Sequence, residues 1–317
     1  MSLLNDQALW QGKFFNGQWQ AASQSREAVE VDTGQVLGAI GYADGRDIAT
    51  SAQAAKAAQR DWWRLPYQER QAVMERAADM MVQHQAEIID WLVKESGSLP
   101  LKAGFEWRVS HQVMKHCIGL PASDQGVLLP TQNGKLSMAR RLPLGVVGVI
   151  SPFNFPLYLA LRSVAPALAL GNAVVLKPDE RTAVCSGYVI ARIFELAGLP
   201  AGLLHVLPGG AEAGEALTLD ENIASIQFTG STQVGRMVGA NAGKTLKKVS
   251  LELGGKNSLI ILDDADIERA AENIVWGAFL HSGQICMTSG KILVQEAIYE
   301  RLKARVTEKT RQLVVGN

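Results

Sequence analysis

The stretch GVVGVISPFNFP, residues 145–156, decides the fold, because a short apolar run gives way there to a loop and then to a helix. The run at 145–150 is continuously apolar and rich in β-branched residues, which is typical of a strand buried on both faces. Pro156 stands where the following helical pattern opens. The order of strand, loop and helix recurs further along the chain, so this stretch is one unit of an alternating fold.

Several more runs are short, apolar and β-branched, at residues 173–177, 203–207, 225–229, 249–253 and 257–263. Helical patterns separate most of them, at about 156–170, 183–197, 212–218 and 232–242. This alternation predicts an α/β fold with a doubly wound, Rossmann-like parallel sheet, whose ligands bind at the carboxyl ends of the strands. A helix at 267–280, a strand at 291–294 and a final helix predict the start of a second α/β domain.

The chain before residue 145 has three different patterns. Residues 1–43 are typical of short strands and turns, and about 47–120 are helical, with one long amphipathic helix running through His84 and ending near Gly97. Residues 124–145 predict a polar β-hairpin with a turn at Asn133–Gly134, which we interpret as a bridging or oligomerisation element. The predicted domains are therefore 1–123 with 144–250, the hairpin 124–143, and 251–317.

Composition excludes several classes of protein. The 317 residues carry 31 basic and 31 acidic side chains and have a pI near 7.0, which favours neither nucleic acid nor an anionic membrane as partner. The N-terminus lacks the apolar core of a signal peptide, and no segment has the apolar length of a membrane span. The three cysteines are odd in number and far apart, which predicts a reducing cytoplasm and no metal site.

Candidate site residues follow the predicted strands. Asn154 follows the first, where its neutral amide could donate into an oxyanion hole or simply cap the helix. Lys177 and Glu180 follow the next, where they could hold a ribose or form a solvated pair. A negative Glu180 at this position would repel a 2′-phosphate, which favours NAD over NADP.

Two later strand ends add a phosphate site and a base. Gly230 and Ser231 precede a helix whose N-terminal N–H groups suit a phosphate, although Gly-Ser-Thr is also common capping. Glu252 lies between Leu251 and Leu253, and we expect burial there to raise its pKa towards neutrality, as a general base needs. A sharp turn at Gly254 and Gly255 is expected beside it.

Cys286 is the candidate nucleophile. It lies among small and polar residues in SGQICMTSG, whereas Cys117 and Cys185 lie in helical patterns and are expected to pack in the core. His281, five residues earlier, offers a rival Cys–His chemistry, but its place at the end of a predicted helix also suits a cation without any catalytic role.

The stretches SPFNFP, GNAVVLKPDE, FTGSTQVG, LELGGK and GQIC, in this order, resemble the NAD(P)-dependent aldehyde dehydrogenase superfamily. Longer stretches, such as RSVAPALALGNAVVLKPDERTAV, resemble its bacterial benzaldehyde, or aromatic aldehyde, branch. The resemblance implies oxidation of an aldehyde to its acid with NAD, or alternatively with NADP, through a thiohemiacetal and a thioester on Cys286. Asn154 and the Cys286 N–H would stabilise the oxyanion, and Glu252 would activate the hydrolytic water.

The resemblance also implies a set of binding residues. The cofactor residues would be Ser151, Pro152, Phe153, Lys177, Glu180, Gly210, Gly214, Phe228, Thr229, Gly230, Ser231, Leu253 and Gly254. The substrate tunnel would be lined by Tyr158, Leu159, Arg162 and Ile285. Arg162 could instead meet the carboxylate of a semialdehyde, and an aliphatic aldehyde is a further alternative.

The resemblance finally implies a homodimer or homotetramer joined through the hairpin. The family continues beyond the point that corresponds to Asn317 with a Glu-x-Phe-Gly-Pro stretch and a strand that pairs between subunits. We therefore expect an N-terminal fragment with an incomplete catalytic domain and exposed apolar surface. An alternative function is a nucleotide-binding module without turnover.

Overall fold

The computed structural model describes residues 2–316, which form two compact units that divide between Glu252 and Leu253. Within the described residues no helix is both long enough and apolar enough to cross a membrane. Each unit has its own sheet and its own packed helices.

The first unit begins with four short strands and four helices. The strands are β1 (Lys13–Phe15), β2 (Trp19–Ala21), β3 (Gln24–Val29) and β4 (Val36–Tyr42). The helices are α1 (Gly45–Arg64), α2 (Tyr67–Gln83), α3 (Gln85–Ser96) and α4 (Pro100–Gly119). The single helix predicted through His84 is wrong, because α2 ends at Gln83 and His84 leaves helical geometry with ψ at 18°. Gly97 ends α3 in the left-handed conformation, with φ at 60°.

The remaining elements of this unit follow the predicted alternation. The hairpin strands are β5 (Gly126–Leu128) and β6 (Met138–Arg140), and Gly134 in their turn has a φ of 80°. The strands after the hairpin are β7 (Val146–Ile150), β8 (Ala173–Lys177), β9 (Leu204–Val206), β10 (Ile223–Gly230) and β11 (Lys248–Leu253). The helices between them are α5 (Pro156–Ala169), α6 (Val189–Leu196), α7 (Ala211–Leu219) and α8 (Thr232–Lys244), with a π-helical turn at Val184–Tyr188 before α6.

The main sheet has seven strands in the order β11-β10-β7-β8-β9-β1-β2. The pairs β10–β7, β7–β8 and β8–β9 are parallel, and β1 is antiparallel to both of its neighbours. The chain runs from β7 outward to β9 and then returns to the other side of β7 to form β10. That reversal is the topological switch point of a doubly wound sheet, and it confirms the predicted α/β class.

The core of the first unit lies between the sheet and its helices. The central strand β8 is buried over Ala173–Leu176, as its uninterrupted apolar pattern predicts. Trp62 packs from α1 and donates its indole N–H to the carbonyl of Leu168 at 2.8 Å. Asp44 caps α1 through a capping box with Asp47, which fixes where that helix begins.

The second unit is a small α/β element. Strands β12 (Ser258–Ile261) and β13 (Lys291–Val294) pair in parallel, and helices α9 (Ile267–Phe279) and α10 (Tyr299–Arg311) pack against them. Its buried core consists of Ile261, Ala270, Ala271, Ile274, Ile298 and Leu302. Large apolar side chains are also exposed in this unit, among them Ile260, Leu262 and Trp276.

Candidate active site

The carboxyl edge of the first unit's sheet brings many of the predicted residues together. Ile150 at the end of β7 pairs with Lys177 of β8 on one side and with Phe228 of β10 on the other. The loop 151–154 and the turn 229–231 therefore leave the sheet side by side at the switch point. This is the edge at which open α/β sheets bind their ligands.

The loop after β7 is held by its own backbone and by α4. The side-chain oxygen of Asn154 accepts the N–H of Phe155 at 3.0 Å, and its backbone carbonyl accepts from the Lys102 ammonium at 2.7 Å. Phe153 lies under the Arg181 guanidinium at 4.1 Å, and Pro152 beside it is half-buried. The loop that carries Asn154 is thus held on several sides.

Lys177 occupies the end of the central strand. Its ammonium donates to the carbonyl of Gly209 at 2.6 Å and to that of Pro178 at 3.2 Å. Burial lowers the pKa of Lys177, although the charges of Asp179 and Glu180 oppose that shift. A Cβ at Gly214 would lie 3.6 Å from the Lys177 side chain, so Gly214 borders the stem of this lysine.

Glu180 is held from the opposite side by two residues that sequence reasoning missed. The Tyr42 hydroxyl donates to its carboxylate at 2.7 Å, and Arg26 forms an ion pair with it. Burial, together with the Glu180 charge, raises the pKa of Tyr42. A Cβ at Gly210 would come within 2.5 Å of the Tyr42 hydroxyl, so only glycine fits there beside the tyrosine.

The turn after β10 is equally close-packed. Phe228 is buried, and a Cβ at Gly230 would lie 2.6 Å from its ring. Ser231 caps α8 by accepting the N–H of Val234 at 3.3 Å, and half-buried Thr229 precedes it. This turn therefore presents bare backbone and a helix N-terminus at the switch point, an arrangement that suits a phosphate.

These residues fit a dinucleotide. The Ser151 hydroxyl at the switch point is buried and has no hydrogen-bond partner among residues 2–316. Buried hydroxyls are normally bonded, so this one is available to a polar ligand. Gly230, in the turn next to the Ser151 loop, keeps the backbone accessible, as close approach of a pyrophosphate requires.

Glu252 is the main correction to the predicted site. Its side chain is 62% exposed, so the expected burial is wrong for this chain. The physical reason is its position on β11, the last strand of the sheet, which has a neighbour on one side only. Sequence shows that Leu251 and Leu253 flank Glu252, but not that the strand is an edge.

Arg162 is the charged neighbour of Glu252 within this unit. Its guanidinium lies 3.9 Å from the Glu252 carboxylate, donates to the Thr229 hydroxyl at 3.3 Å and lies 5.9 Å from the centre of the Tyr158 ring. Leu159, in contrast, is buried. Arg162, Thr229 and Glu252 border a polar cleft of about 240 Å³, whose full lining is Arg162, Ser163, Gln227, Phe228, Thr229, Ser250 and Glu252.

Cys286, in the second unit, is the exposed one of three free cysteines. Cys117 and Cys185 are buried, and burial raises the pKa of Cys117 to about 12 and that of Cys185 far above its usual value. The structure therefore confirms the expected packing of these two thiols, which are held in the unreactive protonated form.

The Cys286 segment is held by Asn257, another residue that sequence reasoning missed. The Asn257 amide donates to the carbonyls of Cys286 at 2.7 Å and Thr288 at 3.2 Å. Just before this segment, His281 and Ser282 take left-handed conformations with φ of 49° and 55°. Such conformations strain residues other than glycine and cluster at functional sites.

Three further predicted residues flank these segments of the second unit. Ile285 and Leu253 are half-buried, and Gly254 is exposed. The sharp turn predicted at Gly254 and Gly255 is wrong, because residues 254–257 form neither a turn nor a bend. A Cβ at Gly254 would meet no atom within 4 Å.

The largest omission from the sequence interpretation is a buried ion pair on α4. Lys102 and Glu106 lie four residues apart, a spacing that places them on one helix face, and their charged groups are 2.6 Å apart. That spacing was visible in the sequence, but it does not distinguish a buried pair from an ordinary surface pair.

Comparison with known proteins gives this geometry its family. The model of the aldehyde dehydrogenase family matches residues 19–317. The chain belongs to the aldehyde dehydrogenase family. It is 54% identical to a vanillin dehydrogenase from Amycolatopsis, over 100% of this chain and 65% of that protein. It is 45% identical to an NAD⁺ benzaldehyde dehydrogenase from Pseudomonas putida, over 98% of this chain and 64% of that protein.

A solved aldehyde dehydrogenase structure supports the fold. The crystal structure of an NAD-dependent benzaldehyde dehydrogenase from Corynebacterium glutamicum superimposes with a TM-score of 0.89 at 40% identity. That match covers 96% of this chain and 68% of the other. The chain thus spans slightly less than two thirds of the length of the two relatives named above.

Proposed function

We propose that the protein oxidises an aldehyde to its carboxylic acid with NAD. The observation that carries the proposal is Cys286, the one exposed thiol of three, in a strained loop of a chain that belongs to the aldehyde dehydrogenase family. A reactive cysteine needs exposure, and Cys286 is exposed whereas the other two thiols are buried.

In the proposed reaction Cys286 attacks the aldehyde carbon as a thiolate and forms a thiohemiacetal. The Asn154 amide and the Cys286 N–H stabilise the oxyanion, because donors aimed at developing charge lower the barrier. Loss of hydride from that carbon leaves a thioester on Cys286. Glu252 then takes a proton from the water that hydrolyses the thioester and releases the acid and the free thiol.

NAD, when bound, supplies the hydride acceptor. Lys177 and Glu180 are proposed to hold its adenosine ribose, and Gly230, Ser231 and the start of α8 to face its pyrophosphate. Glu180 already carries a charge held in place by Tyr42 and Arg26. A fixed carboxylate disfavours a 2′-phosphate more than a mobile one does, which supports NAD over NADP.

The proposed substrate is an aromatic aldehyde such as benzaldehyde. The two relatives with the identities given above are named for aromatic aldehydes, and the Tyr158 ring lies 5.9 Å from the guanidinium of Arg162, which lines the cleft. Arg162 already faces the carboxylate of Glu252, which makes it a weaker receptor for the carboxylate of a semialdehyde. Succinic semialdehyde and hexanal are the comparison substrates that test this choice.

The assembly and compartment are part of the same proposal. Val127, Leu128 and Leu136 of the hairpin are exposed large apolar residues, and we propose that they join subunits in a homodimer or homotetramer. The three free thiols suit a cytoplasmic protein. Light scattering of the protein with and without Leu128→Lys tests the assembly, and an unchanged mass would remove the hairpin from it.

The test of the function is NADH formation from benzaldehyde and NAD by the purified protein. Cys286→Ala is expected to lower turnover at least about 1,000-fold, because it removes the nucleophile. Cys117→Ala is the matched control, since it deletes a buried thiol and is expected to keep turnover. Turnover that survives Cys286→Ala would overturn the assignment of the nucleophile.

The exposure of Glu252 favours a second candidate, which is nucleotide binding without turnover. A general base gains strength when water is excluded from it, and the Glu252 side chain is largely in solvent. Calorimetric titration with NAD, followed by the benzaldehyde assay, separates the candidates. Binding without NADH formation would favour the module.

A further inference from the structure

Lys102 and Glu106 on α4 form an ion pair that water does not reach. Their side chains are 3% and 0% exposed, and the ammonium lies 2.6 Å from the carboxylate. The Lys102 ammonium also lies 4.2 Å from the centre of the Phe155 ring, a cation–π contact. Both charged groups are therefore buried against residues 154–158, the segment in which α5 begins.

The two side chains hold opposite ends of that segment. The second bond of the Lys102 ammonium, at 2.7 Å, goes to the carbonyl of Asn154. The free carboxylate oxygen of Glu106 accepts the N–H groups of Leu157 at 2.9 Å and Tyr158 at 3.2 Å. The first turn of α5 has no capping side chain of its own, so Glu106 serves as the cap from a neighbouring helix.

Stability alone gives little reason for such a pair. Removing two charges from water costs about as much as their attraction returns, and apolar residues of similar volume are often as stable. Burial raises the pKa of Glu106 despite the neighbouring Lys102, so the carboxylate is kept in an unfavourable setting. What an apolar replacement could not supply is the set of bonds to Asn154, Leu157 and Tyr158.

We infer that Lys102 and Glu106 are positioning residues that fix the Asn154 amide for its role at the oxyanion. The inference rests on the proposed function of Asn154. The ammonium fixes the Asn154 carbonyl and the carboxylate fixes the helix that starts two residues later, so the peptide plane between them cannot rotate freely. The Asn154 side chain, bonded to the N–H of Phe155, turns with that plane.

Hydrogen exchange tests the positioning without any need for turnover. Glu106→Gln is expected to speed exchange of the Leu157 and Tyr158 N–H groups about tenfold or more, because these groups lose their charged acceptor. Lys102→Met is expected to speed the same exchange, because it removes the bond that holds the Asn154 carbonyl at the other end of the segment. Glu87→Gln is the matched control. Glu87 also accepts backbone N–H groups, but from Leu3, Leu4 and Asn5, so only the N-terminal residues should exchange faster.

The double variant Lys102→Met/Glu106→Gln separates positioning from stability. It leaves no unpaired buried charge, so its melting temperature should recover most of what either single variant loses. Exchange at Leu157 and Tyr158 should stay fast, because their charged acceptor and the Lys102 bond to the Asn154 carbonyl are both still missing. Exchange that returns to the wild-type rate together with stability would overturn the inference, as would wild-type exchange in both single variants.

Kinetics then connects the positioning to the oxyanion. In a protein that oxidises benzaldehyde, the double variant should lower kcat about 10- to 100-fold while the Kd for NAD stays within about twofold, because small displacements of an aligned group are costly. An unchanged kcat with fast exchange would overturn the catalytic part of the inference. A wild-type protein without turnover would instead overturn the proposed function and leave the exchange result standing.

Discussion

The carboxyl ends of β8 and β11 set two charged residues of one sheet in opposite surroundings. Lys177 ends the central strand, where it is half-buried between strands on both sides and two carbonyls hold its ammonium. Glu252 lies on the last strand, where its side chain is 62% exposed and its one charged neighbour in the first unit, Arg162, is 3.9 Å away. The centre of the sheet therefore fixes the side chain of Lys177 by itself, whereas the surroundings of an edge residue depend on what covers it.

Among the variants that test this comparison, Glu252→Gln is expected to have the largest effect on turnover. If the exposed carboxylate is the base that hydrolyses the thioester, its loss should lower steady-state turnover about 100- to 10,000-fold. The first turnover should still release NADH, because hydride loss precedes hydrolysis. Stopped-flow absorbance resolves the burst from the steady state. An unchanged steady-state rate would take Glu252 out of the mechanism.

Lys177→Met tests the residue at the end of the central strand. It removes the donor proposed for the ribose and should raise the Kd for NAD about 10- to 100-fold, which is the usual worth of a hydrogen bond to a charged group. Lys248→Met, at the start of edge strand β11, is the matched control and should leave the Kd unchanged. Titration calorimetry measures both. Equal affinities of the two variants would show that Lys177 does not bind the cofactor.

The contrast also explains which predictions from the sequence succeeded. The strands around β7 and β8 are apolar without interruption, so both their existence and the edge that carries Asn154, Lys177 and Gly230 could be predicted. The environment of Glu252 could not, because Leu251 and Leu253 look the same on an edge strand as on a central one. Their burial pattern depends on the strand order, which local sequence does not specify.

Side chains that arrive from distant parts of the chain were missed for a related reason. Tyr42 reaches Glu180 across 138 residues of sequence, and Lys102 reaches Asn154 across 52. Neither lies in a motif, and each is an ordinary residue of a strand or helix until the fold closes. The helix break at His84 was missed because apolar spacing continues through it.

Glu95 sharpens the comparison as a carboxylate in the opposite setting to Glu252. It is fully buried, accepts the N–H groups of Val184 and Cys185, and burial raises its pKa to about 7 from a usual 4.5. The folded protein thus binds this proton more tightly than the unfolded chain does. The stability that protonated Glu95 contributes to the folded protein is fully present below about pH 4.5 and is lost as pH rises through 7.

Glu95→Gln should remove that part of the pH dependence. Urea unfolding at a series of pH values is expected to show about 1–3 kcal/mol less variation between pH 4.5 and 7 in the variant than in the wild type. Each Glu95 oxygen accepts one N–H group, and glutamine keeps one of these oxygens, so the variant retains one of the two bonds and is expected to fold. A variant whose profile matches that of the wild type would show that Glu95 does not titrate in this range.

Arg162→Gln should have the smallest effect on turnover. It tests whether the ion pair with the exposed Glu252 is as weak as its geometry indicates. An ion pair with a 3.9 Å separation and a mostly exposed acid contributes at most about 1 kcal/mol, because solvent screens it. Losing it should change the steady-state rate no more than about fivefold. A shift of the pH–rate profile in Arg162→Gln that is absent in Glu252→Gln/Arg162→Gln would mean that the arginine acts on the base itself. A larger loss that persists in the Glu252→Gln background would instead place Arg162 on the substrate, and would reopen the choice between aryl aldehyde and semialdehyde.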